Sequence, residues 1–413
     1  MKIKLLILFS ILSFLLTKSN CLVIKANYFY DNKNLYYINP ITNPNGDLYF
    51  EICGSTSDAR YINKINITSG KEIYFNDNTI KTISVGYVTT NHESIIVNID
   101  GDNSDYIFTI SYNKCEFINI EKGTITSKST DKLIYKSDEK SSYRNNLIKL
   151  RDNNYVLTFQ IEGTLSYYTY IHKFKFESNT IENYKKIKDK YLITNFVNST
   201  CCFQVTKYIE CMYCRKAQTN TLTIAMYDFD INEKNTQKIA DAYGKAFLKM
   251  IHIRDELGAY VYFHYDSGIP KVQLRELIDT DPELKYYYNF TTIRLDGEGK
   301  YTISRDIFLS DIIKVNDTRI VAALTTNDLN GLLIYIIDAN YDVCRHIYYY
   351  INLNTYGIQI SSSLRAFIFR ENFGIAFHNS MSGYPGYIIF NYPNITENAP
   401  KEITLRYFAC HNS

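Results

Sequence analysis

Hydrophobic and polar positions alternate along this chain in short runs, and the runs come in pairs. Seven times a run of about seven residues meets a polar turn and then a second such run. The pairs are Leu48–Cys53 with Ala59–Asn66, Ser94–Asp100 with Tyr106–Tyr112, Tyr155–Ile161 with Tyr167–Phe176, and Tyr208–Cys214 with Thr221–Phe229. Ala259–Tyr265 with Lys271–Ile278, Arg319–Thr325 with Leu332–Asp338, and Phe373–Asn379 with Tyr387–Tyr392 complete the set. A period of two is the signature of a strand, because successive side chains point to opposite faces of a sheet. Each pair therefore predicts a hairpin. The second strands begin at 59, 106, 167, 221, 271, 332 and 387, so the hairpins recur every 47 to 61 residues.

Further apolar segments flank the hairpins. Thr82–Val88, Leu147–Leu150, Leu192–Val197, Phe247–Ile253, Ile312–Val315 and Ser363–Phe369 precede them, and Glu116–Ile120, Tyr286–Phe290 and Ile347–Ile351 follow. Helical patterns are poor; the best of them, Ile239–Ile253, fits strand, turn and strand about as well, given the break at Asp255-Glu256-Leu257-Gly258, and is read as strand. Units of four strands and about 55 residues match the blade of a β-propeller. Sandwich domains repeat at about 100 residues and solenoid coils at about 20–30. The expectation is an all-β chain forming one β-propeller of seven four-stranded blades, with six or eight as the alternatives. It occupies residues 22–413.

The N-terminus changes where such a protein is expected. Lys2 and Lys4 precede an apolar run, Leu5–Leu16, and Ser19 and Cys21 place small residues before a cleavage after Cys21. That is a secretory signal peptide over residues 1–21; a spanning helix needs about 20 apolar residues. No other stretch is long and apolar enough to cross a bilayer. The mature chain is expected to be secreted or held at the cell surface, with no transmembrane segment.

Export bears on the eight cysteines left after cleavage, an even number suited to a disulfide framework. Cys201, Cys202, Cys211 and Cys214 crowd onto one predicted hairpin turning near Val205–Lys207. Alternation separates Cys201 from Cys202, and Cys211 from Cys214, onto opposite faces. That parity suits Cys202–Cys211 and Cys201–Cys214, with a bulge absorbing the mismatch, and disfavours zinc, whose four ligands must converge. Cys53–Cys115 and Cys344–Cys410 are assigned as links between neighbouring blades. Glycosylation sequons stand at Asn66, Asn198, Asn289, Asn316 and Asn394.

Charge and motifs narrow the chemistry. A net charge of +2 with interspersed signs gives no footprint for nucleic acid or an anionic membrane. There is no nucleophile elbow, phosphate loop, zinc-protease motif or dinucleotide fingerprint, and the seven histidines are scattered singly. No catalytic residue, metal or cofactor is assigned. Asp100–Asp105 carries three carboxylates but lacks the order of a calcium loop. Tyrosine numbers 39 against no tryptophan, a strand-forming excess that fits A+T-rich coding as well as a tyrosine-lined surface.

Repeat length and hairpin pattern resemble those of extracellular β-propeller ectodomains of eukaryotic microbes, over about residues 25–410. The resemblance implies a binding or adhesion module and carries no residue-level role. If each hairpin supplies the second and third strands of a blade, all seven turns rim one face. Asp102, Asp266, Asp328 and Tyr384 project charged or aromatic groups from those turns, and Gly383 and Pro385 stiffen the backbone around Tyr384. They are the candidate contacts for an extracellular protein or glycan. The competing expectation is a secreted carbohydrate-active hydrolase with a carboxylate pair near the axis.

Overall fold

The computed structural model describes the strands named below, together with residues 47, 150, 152, 154, 228–232, 268, 295–305, 309, 315–318, 326–330, 353–359, 370–371 and 380–383. In many strands it describes the backbone alone. After β1 (Ile24–Phe29) come β2 (Leu35–Thr42), β3 (Leu48–Gly54), β4 (Arg60–Ile65), β5 (Glu72–Ile73) and β6 (Thr82–Val85), of which β2 to β6 form the first sheet. The second holds β7 (Ile95–Asn98), β8 (Asp105–Ser111), β9 (Lys114–Asn119) and β10 (Ile125–Ser129). The third holds β11 (Asn146–Lys149), β12 (Tyr155–Glu162), β13 (Tyr167–Phe174) and β14 (Ile181–Ile187). The fourth holds β15 (Cys201–Val205), β16 (Tyr208–Ala217), β17 (Thr219–Tyr227) and β18 (Glu233–Asp241). The fifth holds β19 (Lys245–Arg254), β20 (Ala259–Asp266), β21 (Ile269–Arg275) and β22 (Thr291–Arg294). The sixth holds β23 (Ser310–Lys314), β24 (Arg319–Thr325), β25 (Gly331–Ala339) and β26 (Cys344–Asn352). The last joins β27 (Ile360–Phe369), β28 (Asn372–Asn379) and β29 (Tyr384–Asn391) to β1 in the order β1-β29-β28-β27.

All described pairings between these strands are antiparallel. β1 runs against β29 from Ile24↔Phe390 to Phe29↔Gly386, so the earliest described strand completes the sheet begun by the last three. In the first sheet, β5 and β6 pair with consecutive stretches of β4. They form one interrupted outer strand. Thr82–Val85 is thus the outer edge of the first sheet, where the sequence suggested the opening strand of the second. The fourth sheet opens with β15 at Cys201, and Leu192–Val197 lies outside the described residues. A short 3-10 turn, Leu353–Tyr356, is capped by Asn352, whose side chain accepts from Asn354 N, and ends on Gly357 at φ 64°. Glycine carries that left-handed geometry without a Cβ clash.

β24 explains why polar alternation fades here. Ile320, Ala322 and Leu324 face a core shared with Ile251, Ile253, Val272 and Ile293 of the fifth sheet. Val321 and Ala323 face Ile360, Leu364, Phe373 and Phe377 of the last. A strand covered on both faces reads as a nearly continuous apolar run. The first and last sheets meet through Ile38, Leu48 and Phe50 against Phe367, Phe369 and Tyr387. Leu150, Val156 and Ile171 pack on Cys202, Ile209, Cys211 and Ala225 between the third and fourth. Burying both faces of the sixth and last sheets removes far more apolar surface than a one-sided sheet does, at about 25 cal/mol per Å². Tyr49, Tyr155, Tyr227, Tyr335, Tyr349 and Tyr387 lie fully inside these layers. These tyrosines belong to the core.

Candidate functional site

In antiparallel sheets of four sequential strands, turns between the second and third strands share an edge with connections to the next sheet. That edge is hydrogen-bonded across three sheets. Leu295 N donates to Pro270 O at 2.9 Å, and Asn327 N donates to Thr302 O at 2.8 Å. Leu353 N donates to Asn330 O at 2.7 Å, Ile360 N to Leu329 O at 3.1 Å, and Ser380 N to Gln359 O at 2.8 Å. Side chains reinforce the belt. Asn379 Oδ1 accepts from Gln359 N at 2.9 Å and Met381 N at 3.1 Å, while Ser380 Oγ donates to Gln359 Oε1 at 2.8 Å. Met381, 60% exposed, stands at its tip.

Asp328 occupies the β24–β25 turn with its side chain exposed. Its Oδ1 accepts from Thr326 Oγ1 and, at 3.3 Å, from Asn330 N. Thr326 Oγ1 in turn accepts from Gly331 N at 2.8 Å. Asp266 ends β20 opposite Ile269, and Tyr384 opens β29 opposite Asn379; for both, the backbone alone is described. Asp102 lies outside the described residues. Its flanking strands, β7 and β8, are the first and second of their sheet, so that hairpin closes at the opposite edge. The other six hairpins do join the second and third strands of their sheets. The second sheet departs because β8 pairs onward with β9 from Ser111↔Lys114, a connection too short to stand out in the sequence.

Buried ionisable groups serve the fold. Asp311 Oδ1 accepts from Ile312 N at 2.8 Å and its Oδ2 from Ala366 N at 3.0 Å, clamping β23 to β27. Asp296 accepts from Arg294 Nη2 at 2.6 Å and from Gly299 N at 3.1 Å. His378 Nδ1 lies 3.1 Å from Ser361 Oγ. Burial lowers the His378 pKa, against backbone hydrogen bonds at Gly383 and Ser361 that act the other way. At Asp228, burial raises the pKa, yet hydrogen bonds from Lys234 and Asn232 and the lysine charge outweigh it and bring the carboxyl down to about 2. Among the described residues, no group of three or more His, Cys, Asp or Glu is placed to hold a metal ion, and no helix is long and apolar enough to cross a membrane.

Cys202 and Cys211 face each other across β15 and β16 and are disulfide-bonded, with Cα atoms 4.1 Å apart. The pairing is regular, without the bulge suggested by the sequence: Cys201 opposes Met212, which leaves Cys214 diagonal to it on the same face. The side chains of Cys201, Cys214, Cys53, Cys115 and Cys344 are outside the described residues, as is all of Cys410. Of the sequons, Asn316 is described, on an exposed turn where Oδ1 accepts from Thr318 N at 3.0 Å and Thr318 Oγ1 at 3.1 Å. Asn66, Asn198, Asn289 and Asn394 lie outside.

Sequence reasoning overlooked two residues at this edge, Tyr301 and Tyr350. Their rings stack with centroids 4.4 Å apart and planes 14° apart, half-buried over the core between the fifth and sixth sheets. Gly297 and Gly299, both at positive φ, turn the chain back before Tyr301.

No family model matches the chain, and no curated protein matches it. Among solved structures, the polysaccharide lyase Uly1 aligns with a TM-score of 0.53 at 7% identity, over 90% of this chain and 100% of that one. Drosophila Semaphorin 2a aligns with a TM-score of 0.43 at 9% identity, over 89% and 76%. A subtype N10 neuraminidase-like protein from a little yellow-shouldered bat isolate gives 0.40 at 10%, over 91% and 99%. The likeness is to propeller-type proteins and is one of fold.

Proposed function

We propose that the chain is a secreted seven-bladed β-propeller that recognises an extracellular protein or glycan without catalysing a reaction on it. The observation that carries the reading is the belt spanning residues 302–304, 325–330, 353–360 and 379–383, a polar loop edge held by hydrogen bonds before any ligand arrives. A preordered surface loses little entropy on binding. Seven sheets in sequence and the pairing of β1 with β29 support a closed ring. The disulfide, the signal-like N-terminus and the exposed Asn316 sequon support export.

Probing glycan and cell-surface protein arrays with the exported protein is the test. Binding that falls when Asp102, Asp266, Asp328 and Tyr384 are replaced together by alanine is the expected result. Topology makes Asp102 the dispensable member. Unchanged binding in the variant would move recognition away from this edge. The fold shared with a polysaccharide lyase favours a second reading, a carbohydrate-active enzyme. Release of shorter oligosaccharides from polysaccharide by the purified protein would select it.

A further inference from the structure

We infer that Met381 is a modification site, oxidised to the sulfoxide by peroxide, and that the sulfoxide weakens recognition at the β28–β29 edge. The second half rests on the recognition reading; the first stands without it. Met381 is 60% exposed, and among the described residues no other large hydrophobic side chain is exposed. The turn beneath it is fixed. Met381 N donates to Asn379 Oδ1 at 3.1 Å, and Gly383 N donates to Asn379 O at 2.8 Å. Ser380 N donates to Gln359 O at 2.8 Å, and Ser380 Oγ donates to Gln359 Oε1 at 2.8 Å. The thioether is therefore carried on a rigid turn, in contact with water.

Peroxide oxidation of a thioether transfers one oxygen atom. A sulfur lone pair attacks the O–O bond, and an S–O bond forms as the O–O bond breaks. Sulfur is oxidised by two electrons, and the peroxide is reduced to water once the transferred oxygen passes its proton to the leaving hydroxide. That proton moves through solvent, so a sulfur in water reacts ahead of a buried one. Met226, 1% exposed, supplies the internal comparison. Cys202 and Cys211 are joined to each other and offer the oxidant no thiol. The product is polar and chiral where the parent side chain was apolar. A partner that covers this edge must take Met381 out of water. Burying the thioether is favourable, whereas burying a sulfoxide oxygen without a donor is costly.

The test treats the exported protein with hydrogen peroxide, maps its peptides by mass spectrometry and applies it to the glycan and cell-surface protein arrays. The Met381 peptide should gain one oxygen at least roughly tenfold faster than the Met226 peptide, and the two rates should converge in urea. Array binding by the oxidised parent should fall roughly tenfold, with an unchanged circular dichroism melt. Met381→Leu, which keeps apolar volume and has no sulfur, should give the same signal before and after peroxide. Equal rates for the two peptides in the folded protein overturn the site. Unchanged binding after full conversion of Met381, or an equal loss in the Met381→Leu chain, overturns its effect on recognition. If the untreated protein binds nothing on either array, the recognition reading fails, while the peptide map still decides the site.

Discussion

Acidification should destabilise this protein through His172, by an amount the structure allows one to work out. The residue lies on β13, 4% exposed, one position after Ile171, which enters the core between the third and fourth sheets. Alternation turns His172 to the other face of its sheet. Burial disfavours the imidazolium and lowers the pKa from 6.5 to about 4. Above pH 6.5 the folded and unfolded chains both hold a neutral ring, and burial carries no charge penalty. Between 6.5 and about 4 the unfolded chain takes up a proton that the folded chain refuses. Stability then falls with falling pH by about 1.4 kcal/mol per pH unit, or about 3 kcal/mol across the window. The stability is present above the unfolded value and fully lost below the folded one. Urea unfolding of the parent and of His172→Gln, followed by circular dichroism from pH 7.5 to 4.5, isolates the contribution. The variant should be less stable at pH 7.5 and should lose less on acidification. Any slope left in it reports His378, also lowered by burial, and the carboxylates. Parallel pH profiles for the two proteins would refute the assignment.

Three further outcomes follow from packing, covalent structure and surface. A Cβ on Gly374 would sit 2.1 Å from Phe367 Cζ, and Phe367 is held in the core between the first and last sheets. Gly374→Ala should therefore destabilise by about 1–3 kcal/mol, with Phe367→Leu recovering part of the loss in the double variant; additive effects in a thermal-melt cycle would contradict this. Replacing Cys202 and Cys211 by alanine opens a link between residues nine apart and should lower stability by about 2–3 kcal/mol in chemical denaturation. In cells that glycosylate their exports, Asn316→Gln should remove one glycan from the intact mass without shifting the melting midpoint, since the side chain lies on an exposed turn.

Hairpin pairing was legible because it is local. Arg319–Thr325 with Leu332–Asp338 falls within a residue of β24 and β25, and Tyr155–Ile161 within a residue of β12. The stretch around Ile239–Ile253 is strand on both sides, in β18 and β19. Which sheet a strand joins depends on distant partners, and there the pattern was silent. Thr82–Val85 has the same alternation whether it ends one sheet or begins another. Leu35–Thr42 contains Pro40, which argues against a strand, yet β2 accommodates it. The turn position of Asp328 was readable from its hairpin. Tyr301 and Tyr350 were not, because one comes from a connection and the other from an outer strand, and stacking between them is a tertiary fact.

The pairing of β1 with β29 also sets a timetable. Ile24 and Phe390 are 366 residues apart, from 390 − 24, and closing a flexible loop of that length costs roughly 5 kcal/mol of entropy. During synthesis β1 emerges long before its partner and has no edge to join until residues 384–391 follow. Until then β29's neighbour-to-be is an unpaired strand, the kind of exposed backbone that recruits other chains into aggregates. A chain so arranged depends on whatever shields nascent strands in the compartment where it folds, and its yield should respond to that shielding more than to the stability of any single sheet.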